Sequence, residues 1–253
     1  MYDLPSYVWA LVLAGVIGIP AITCLMLYRG AIAAGLSRRT AGAVTVVAAA
    51  MLGGWLLTSG LLAGAGVYHQ PSGQAAPWFG VAVAGTLLGL LAATRIPVMT
   101  RILAAPATPA RLTLPHTLRV VGVTFLLVMA QGHLPAVFAL PAGLGDITAG
   151  LAAPFVAWRL AHGGGRPRAV WFNLFGILDL VIALTIGFLA GLGPWRPLEV
   201  TPSTEPLSLL PLALVPTVAV PLAIALHLVS LSRLRAAAQP EGDRTGDLLP
   251  AGG

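Results

Sequence analysis

Lysine is absent from this chain, cysteine occurs once, and charged residues of either sign make up only 9% of its 253 residues. Each shortage excludes something. A soluble domain carries about 25% charged residues. A chain of this length with so few charges cannot cover a water-facing surface, so lipid is the expected solvent for most of it. The lone Cys24 rules out an intrachain disulfide and a cysteine metal cluster. It falls inside the first apolar segment and reads as a small buried or lipid-facing residue.

The 14 basic residues are all arginine and face 8 acidic ones, for a net charge of +6. In a soluble protein such a balance suggests nucleic acid. Here the arginines lie at the ends of apolar segments, where anionic phospholipid is the expected partner. No basic patch is interleaved with exposed aromatics, so nucleic acid is not expected. Abundant Ala, Gly, Leu and Pro without lysine fits a GC-rich bacterial genome.

What is present is apolar: 57% hydrophobic residues and a mean hydropathy of +0.90. About 20 apolar residues cross a bilayer as a helix. The apolar runs predict an all-α, polytopic transmembrane bundle of about seven helices. They are expected near residues 7–28, 41–67, 78–103, 117–140, 143–161, 169–192 and 207–231. One membrane domain, 1–232, precedes a short polar tail, 233–253, expected to be disordered. The first segment does not read as a cleavable signal, because Asp3 precedes it and Arg29 follows it.

Orientation follows from arginine. With the N-terminus outside and the C-terminus inside, the inner helix ends hold Arg29, Arg38, Arg39, Arg95, Arg101, Arg111, Arg119, Arg159, Arg166, Arg168, Arg233, Arg235 and Arg244. The outer connections hold only Arg196. This is a strong positive-inside asymmetry, and it places the chain in a bacterial cytoplasmic (inner) membrane. Trp9, Trp78, Trp158, Trp171 and Trp195 fall near the expected interfaces as aromatic anchors.

Ionisable residues inside a membrane are costly and persist with a partner, a cavity or a function. Asp179 is expected near the midplane of the sixth helix. Gly176 and Phe172 share its face, and the glycine admits a close neighbour. Asp179 is either a neutral, hydrogen-bonded carboxyl or a proton-titrating or solute-binding one. Asp146 is expected in the first turn of the fifth helix, near the outer interface and far from Asp179 in depth. It is either an N-terminal cap or the wall of an outward-facing site.

The fourth helix is interrupted at Gln131-Gly132-His133-Leu134-Pro135. Gln131, His133 and Asp146 are therefore expected to converge on the outer half, with His69 on the same side. Broken helices of this kind line transporter sites; a plain proline kink is the alternative. Pro206, Pro211, Pro216 and Pro221 recur along the last helix and should bend it. His227, near its inner end, reads as a snorkelling histidine or part of a proton path. Arg119 and Arg95 read as snorkelling to phosphate, or as pairing with a carboxylate inside the bundle.

Several motifs fail. Gly143-Leu144-Gly145-Asp146 matches the Gly-x-Gly-Asp of intramembrane aspartyl proteases, yet no intramembrane aspartate precedes it. Haem and metal ligand spacings are lacking, and Gly163-Gly164-Gly165 is a flexible turn. No cofactor is expected.

The stretch from Gln131 to Asp146, with Leu134-Pro135, Phe138-Ala139-Leu140-Pro141-Ala142-Gly143 and Gly145-Asp146, is followed by Asn173-Leu174-Phe175-Gly176-Ile177-Leu178-Asp179. Together they resemble a family of bacterial multi-pass membrane proteins without an assigned function. The resemblance covers roughly helices four to seven, including the proline-rich last helix and His227. It implies an inner-membrane protein and supplies no mechanism.

The leading expectation is a site that binds or transports a small solute or ion, built from Asp146, Asp179, Asn173, Gln131, His133, Arg119 and His227. The alternative is a non-catalytic membrane subunit or scaffold that stabilises a partner protein. An enzyme is the less favoured reading, since no nucleophile, metal set or cofactor motif is found.

Overall fold

The computed structural model describes residues 4–69, 77–192 and 197–236. Among these residues the chain is helical, with no strand. Six helical stretches are long and apolar enough to cross a membrane, or seven if one sharply bent pair counts as a single span. Asp3, Trp195, Arg196, Arg244 and the tail beyond 236 lie outside the described residues.

Helix α1 (Ser6–Ala33) buries Val8, Val12, Gly15, Val16 and Ile19, a stripe at three- and four-residue spacing. Its glycines face a neighbour: a Cβ on Gly15 would overlap Val121, and one on Gly18 would overlap Leu118. Helix α2 (Arg38–Gly64) starts on a Ser37 cap whose hydroxyl accepts from the Thr40 amide and packs on α1. The third expected helix is two helices. α3 (Pro77–Ala93) and α4 (Pro97–Ala104) meet at 77°. Pro97 bends the chain there. It does so as the first residue of α4, with an extended Ile96 ahead of it, the conformation that proline imposes on its predecessor.

The fourth span begins earlier than the sequence indicates. It consists of α5 (Thr108–Thr113), a 3₁₀ stretch (Leu114–Gly122) and α6 (Val123–Ala130). Residues read as a loop, 104–116, are thus largely helical. The 3₁₀ stretch packs chiefly against helix α7 (Ala136–Ala161). Helix α7 faces it with a line of small residues, Ala139, Ala142, Gly143, Ala149, Gly150 and Ala153, all buried. A Cβ on Gly150 would overlap the Val120 backbone nitrogen. Small residues at this spacing let two backbones approach.

The interruption at 131–135 is the turn between α6 and α7, not a break within a span. Gly132 takes a positive φ of 78°, Pro135 is extended, and α7 starts at Ala136. Helix α7 then continues through Pro141 without a break, where the sequence suggested a new helix from Gly143. Helix α8 (Arg166–Gly187) follows the expected glycine turn, in which Gly163 and Gly165 have positive φ.

The last helix is shorter at its start and longer at its end than expected. Pro206 and Pro211 precede it; a π-helical turn (Val215–Ala219) leads into α9 (Val220–Ala236). Pro221 has no N–H, so the Thr217 carbonyl loses its α-helical donor. The Trp55 indole of α2 supplies one, donating to that carbonyl at 3.0 Å. The Thr217 hydroxyl and Ser59 share a 2.7 Å bond beside it. The main apolar cluster, with Val12, Val16, Phe125, Phe138 and Leu222, fills the space between α1, α6, α7 and α9.

Candidate functional site

Every third residue eclipses its predecessor in a 3₁₀ helix. Within Leu114–Gly122 this aligns His116, Arg119 and Gly122 on one edge, and all three are buried. An α-helix would fan the same three residues apart by about 60° per step. The edge faces α7, α8 and α9 at once.

Arg119 is 3% exposed, and all three of its guanidinium nitrogens are engaged. Nε donates to Asp146 Oδ1 of α7 at 2.7 Å, and the Nη2 group to Asp179 Oδ2 of α8 at 2.5 Å. The Nη1 group donates to His227 Nε2 of α9 at 3.1 Å. One residue thereby ties three helices to the 3₁₀ stretch. Arg119 does not snorkel from a helix end. It lies eleven residues into its span, and the inner arginine tally loses one member.

The two carboxylates, expected at different depths, meet on one guanidinium. The reason is the boundary of α7. With Ala136 as its first residue, Asp146 stands about 15 Å along the helix rather than in its first turn, so it is not an N-terminal cap. Of the two readings of His227, the snorkelling one fails, because the residue is fully buried.

The histidine's hydrogen bonds fix its tautomer. An arginine N–H can only donate, so Nε2 is the acceptor. Asn173 Nδ2 donates to Ala169 O at 2.7 Å and to Ser230 Oγ at 3.2 Å. Its Oδ1 therefore accepts from His227 Nδ1 at 2.9 Å. The result is a directed chain from Arg119 through His227 and Asn173 to Ser230, with His227 neutral.

Glycines make room for the cluster. A Cβ on Gly145 would coincide with the Asp179 carboxylate, one on Gly122 with Asp146, and one on Gly176 with the His227 ring. The close approach expected at Gly176 is present, made by α9.

The cluster holds one guanidinium and two carboxylates. With both ionised it carries one excess negative charge, which a low-dielectric interior opposes. A cavity of about 40 Å³ adjoins it, lined by Val12, Val16, Arg119, Thr124, Asp146 and Val215 among others. One water needs roughly 10–15 Å³ on this measure, so the volume suffices for about three, and Arg119, Thr124 and Asp146 are the polar groups in an otherwise apolar lining. The cavity lies toward the face that carries the α1 N-terminus and the 131–135 turn. The chain through Asn173 and Ser230 runs toward the opposite face, which bears the ends of α7 and α9 and the start of α8.

Gln131 and His133 do not join this cluster. They sit at the turn, about 15 Å by helix rise from Asp146, and Gln131 Nε2 donates to the Tyr7 hydroxyl at 2.5 Å. His69 faces Glu205 at 3.4 Å and Ser208 at 3.3 Å. His116, which the sequence leaves outside the expected helices, stacks on His227 with ring centroids 3.8 Å apart. That spacing leaves no slot for a haem between them. Among the described residues no group of three or more His, Cys, Asp or Glu is placed to hold a metal.

The architecture is that of an all-helical bundle of membrane-length helices with an ion-pair cluster enclosed within it. The chain belongs to a family defined only as a domain of unknown function, DUF8737, whose model matches residues 76–235. This segment contains Arg119, Asp146, Asn173, Asp179 and His227. No curated protein matches the chain, and no solved structure does.

Proposed function

We propose that this is a multi-pass protein of the bacterial cytoplasmic membrane, N-terminus outside, whose Arg119–Asp146–Asp179 cluster binds and passes a small cation, the proton above all. One observation carries this reading: two carboxylates from different helices share one buried guanidinium, beside a cavity sized for water. The excess negative charge is balanced by a proton or a cation of comparable size. The cavity volume favours such an ion over a larger solute. Arginines at the ends of α7, α8 and α9 support the inward orientation of that face.

The test is proton flux in proteoliposomes under a potassium diffusion potential, read by a trapped pH dye. The wild-type protein should acidify or alkalinise the lumen faster than empty liposomes. Asp146→Asn and Asp179→Asn should each abolish the difference. Each variant leaves one carboxylate on Arg119, a balanced pair, so folding should survive. Wild-type flux equal to that of empty vesicles would overturn the reading.

A second reading, a membrane subunit that stabilises a partner protein, draws on α2. Val46, Met51, Leu57 and Leu61 are each at least two-thirds exposed along it. A stoichiometric protein partner retained through purification would favour that reading.

A further inference from the structure

His116 is 1% exposed, yet neither of its ring nitrogens has a hydrogen-bond partner among the described residues. A neutral imidazole carries one N–H and one lone pair, and burying both unsatisfied forfeits their hydration without return. His227 of α9 lies parallel to the His116 ring, and Phe172 of α8 meets it edge-on at 5.7 Å. The charged groups near it are Arg119 on its own 3₁₀ edge and, through that guanidinium, Asp146 and Asp179.

Two buried hydroxyls lie toward the arginine-rich face by their place along the helices. Thr113, the last residue of α5 and three residues nearer the arginine-rich face, is buried, and its hydroxyl donates to Pro109 O, leaving its lone pairs open. Ser230, one helical turn beyond His227, accepts from Asn173. The cavity on the other side of Arg119 has none of these residues in its lining.

We propose that His116 is a buried water-binding site, reached from the arginine-rich face, and that the Arg119 cluster is the dry layer between this water and the cavity on the opposite side. A water supplies both a donor and an acceptor, which is what the imidazole lacks. The site deepens the proton reading by giving the cluster an aqueous approach on each side, but the water site stands or falls on its own observation.

X-ray radiolytic footprinting of the intact protein in nanodiscs tests it, because hydroxyl radicals formed from resident water oxidise the side chains that touch it. His116 should be oxidised at a rate approaching that of the exposed His162, despite its burial. Oxidation no faster than that of Phe79, which is buried and lies away from the cavity, would overturn the proposal. Sidedness is read with Ag⁺ on His116→Cys in a Cys24→Ala background, and on Thr113→Cys should the first variant fail to fold. Reaction from the arginine-rich face alone supports the proposal; reaction only from the other face, or none, overturns it. If His116 is oxidised while proteoliposomes show no flux, the water site holds and the proton-passage reading falls. The converse result keeps passage and removes this route.

Discussion

Gly145 of α7 lies directly against the carboxylate of Asp179 on α8, so closely that a methyl group on its α-carbon would occupy the oxygen's position. The helix pair can bring Asp179 to Arg119 only because that methyl is missing. Gly176 stands in the same relation to the His227 ring. Gly145→Ala and Gly176→Ala should each destabilise the protein by about 1–3 kcal/mol, the usual cost of overpacking. Gly53→Ala and Gly89→Ala, which would meet nothing within 4 Å, should be neutral or stabilising by about 0.5–1 kcal/mol. Unfolding in detergent checks this; equal effects at all four positions would sink it.

Removing the guanidinium should cost more than removing a carboxylate. Arg119→Leu leaves two buried carboxylates facing each other without a cation. Breaking a buried pair in this way costs about 3–5 kcal/mol. Adding Asp146→Asn and Asp179→Asn to the same chain removes the stranded charges and should restore most of the loss. If the triple variant is no more stable than Arg119→Leu alone, the charge argument fails and packing explains the single variant.

The tautomer of His227 is open to direct measurement. Nitrogen-15 NMR should find Nδ1 protonated and Nε2 bare, since Asn173 Oδ1 and Arg119 Nη1 demand that arrangement. Asn173→Leu removes the acceptor and should cost about 1–3 kcal/mol through the unsatisfied Nδ1–H. A spectrum with Nε2 protonated in the wild-type protein would contradict the chain of donors.

The indole of Trp55 is expected to carry a backbone function. It caps the carbonyl that Pro221 leaves without a donor. Trp55→Phe keeps the ring and deletes the donor, at a cost of about 0.5–1.5 kcal/mol. The loss should shrink when Pro221→Ala returns an N–H to the helix. Additive effects in this double-mutant cycle would count against the bond.

Much of the bundle is legible because hydrophobic runs are local signals. The two aspartates, Asn173 and Gly176 stood out for the same reason. Arg119 is legible only in part, with carboxylate pairing inside the bundle as one of two readings, and its depth is not legible. The apolar run places the start of its span near 117, which makes Arg119 a helix-end residue, whereas the span starts at Thr108. Thr108-Pro109 opens α5, and Pro106, Pro109 and Pro115 within ten residues argue against a helix there. The depth of Asp146 failed through a parallel error, since Pro141 and two glycines suggested a helix start inside α7. A 3₁₀ run has no strong sequence signature, so the alignment of His116, Arg119 and Gly122 could not be read from periodicity. The line of small residues on α7, spaced by three and four on either side of Asp146, was the signal that could have placed that residue mid-helix.

The tight winding between Leu114 and Gly122 has a consequence for how this segment can change over time. Each residue there advances the chain by a third of a turn. Gaining or losing one would swing everything beyond it through about 120° and send the guanidinium toward α1 or the lipid. Drift in length elsewhere, at the bend after α3 or in the turn after α7, leaves the ion pairs in register. Kin of this protein should therefore differ in loop length long before they differ in the count of residues separating the histidine, the arginine and the glycine.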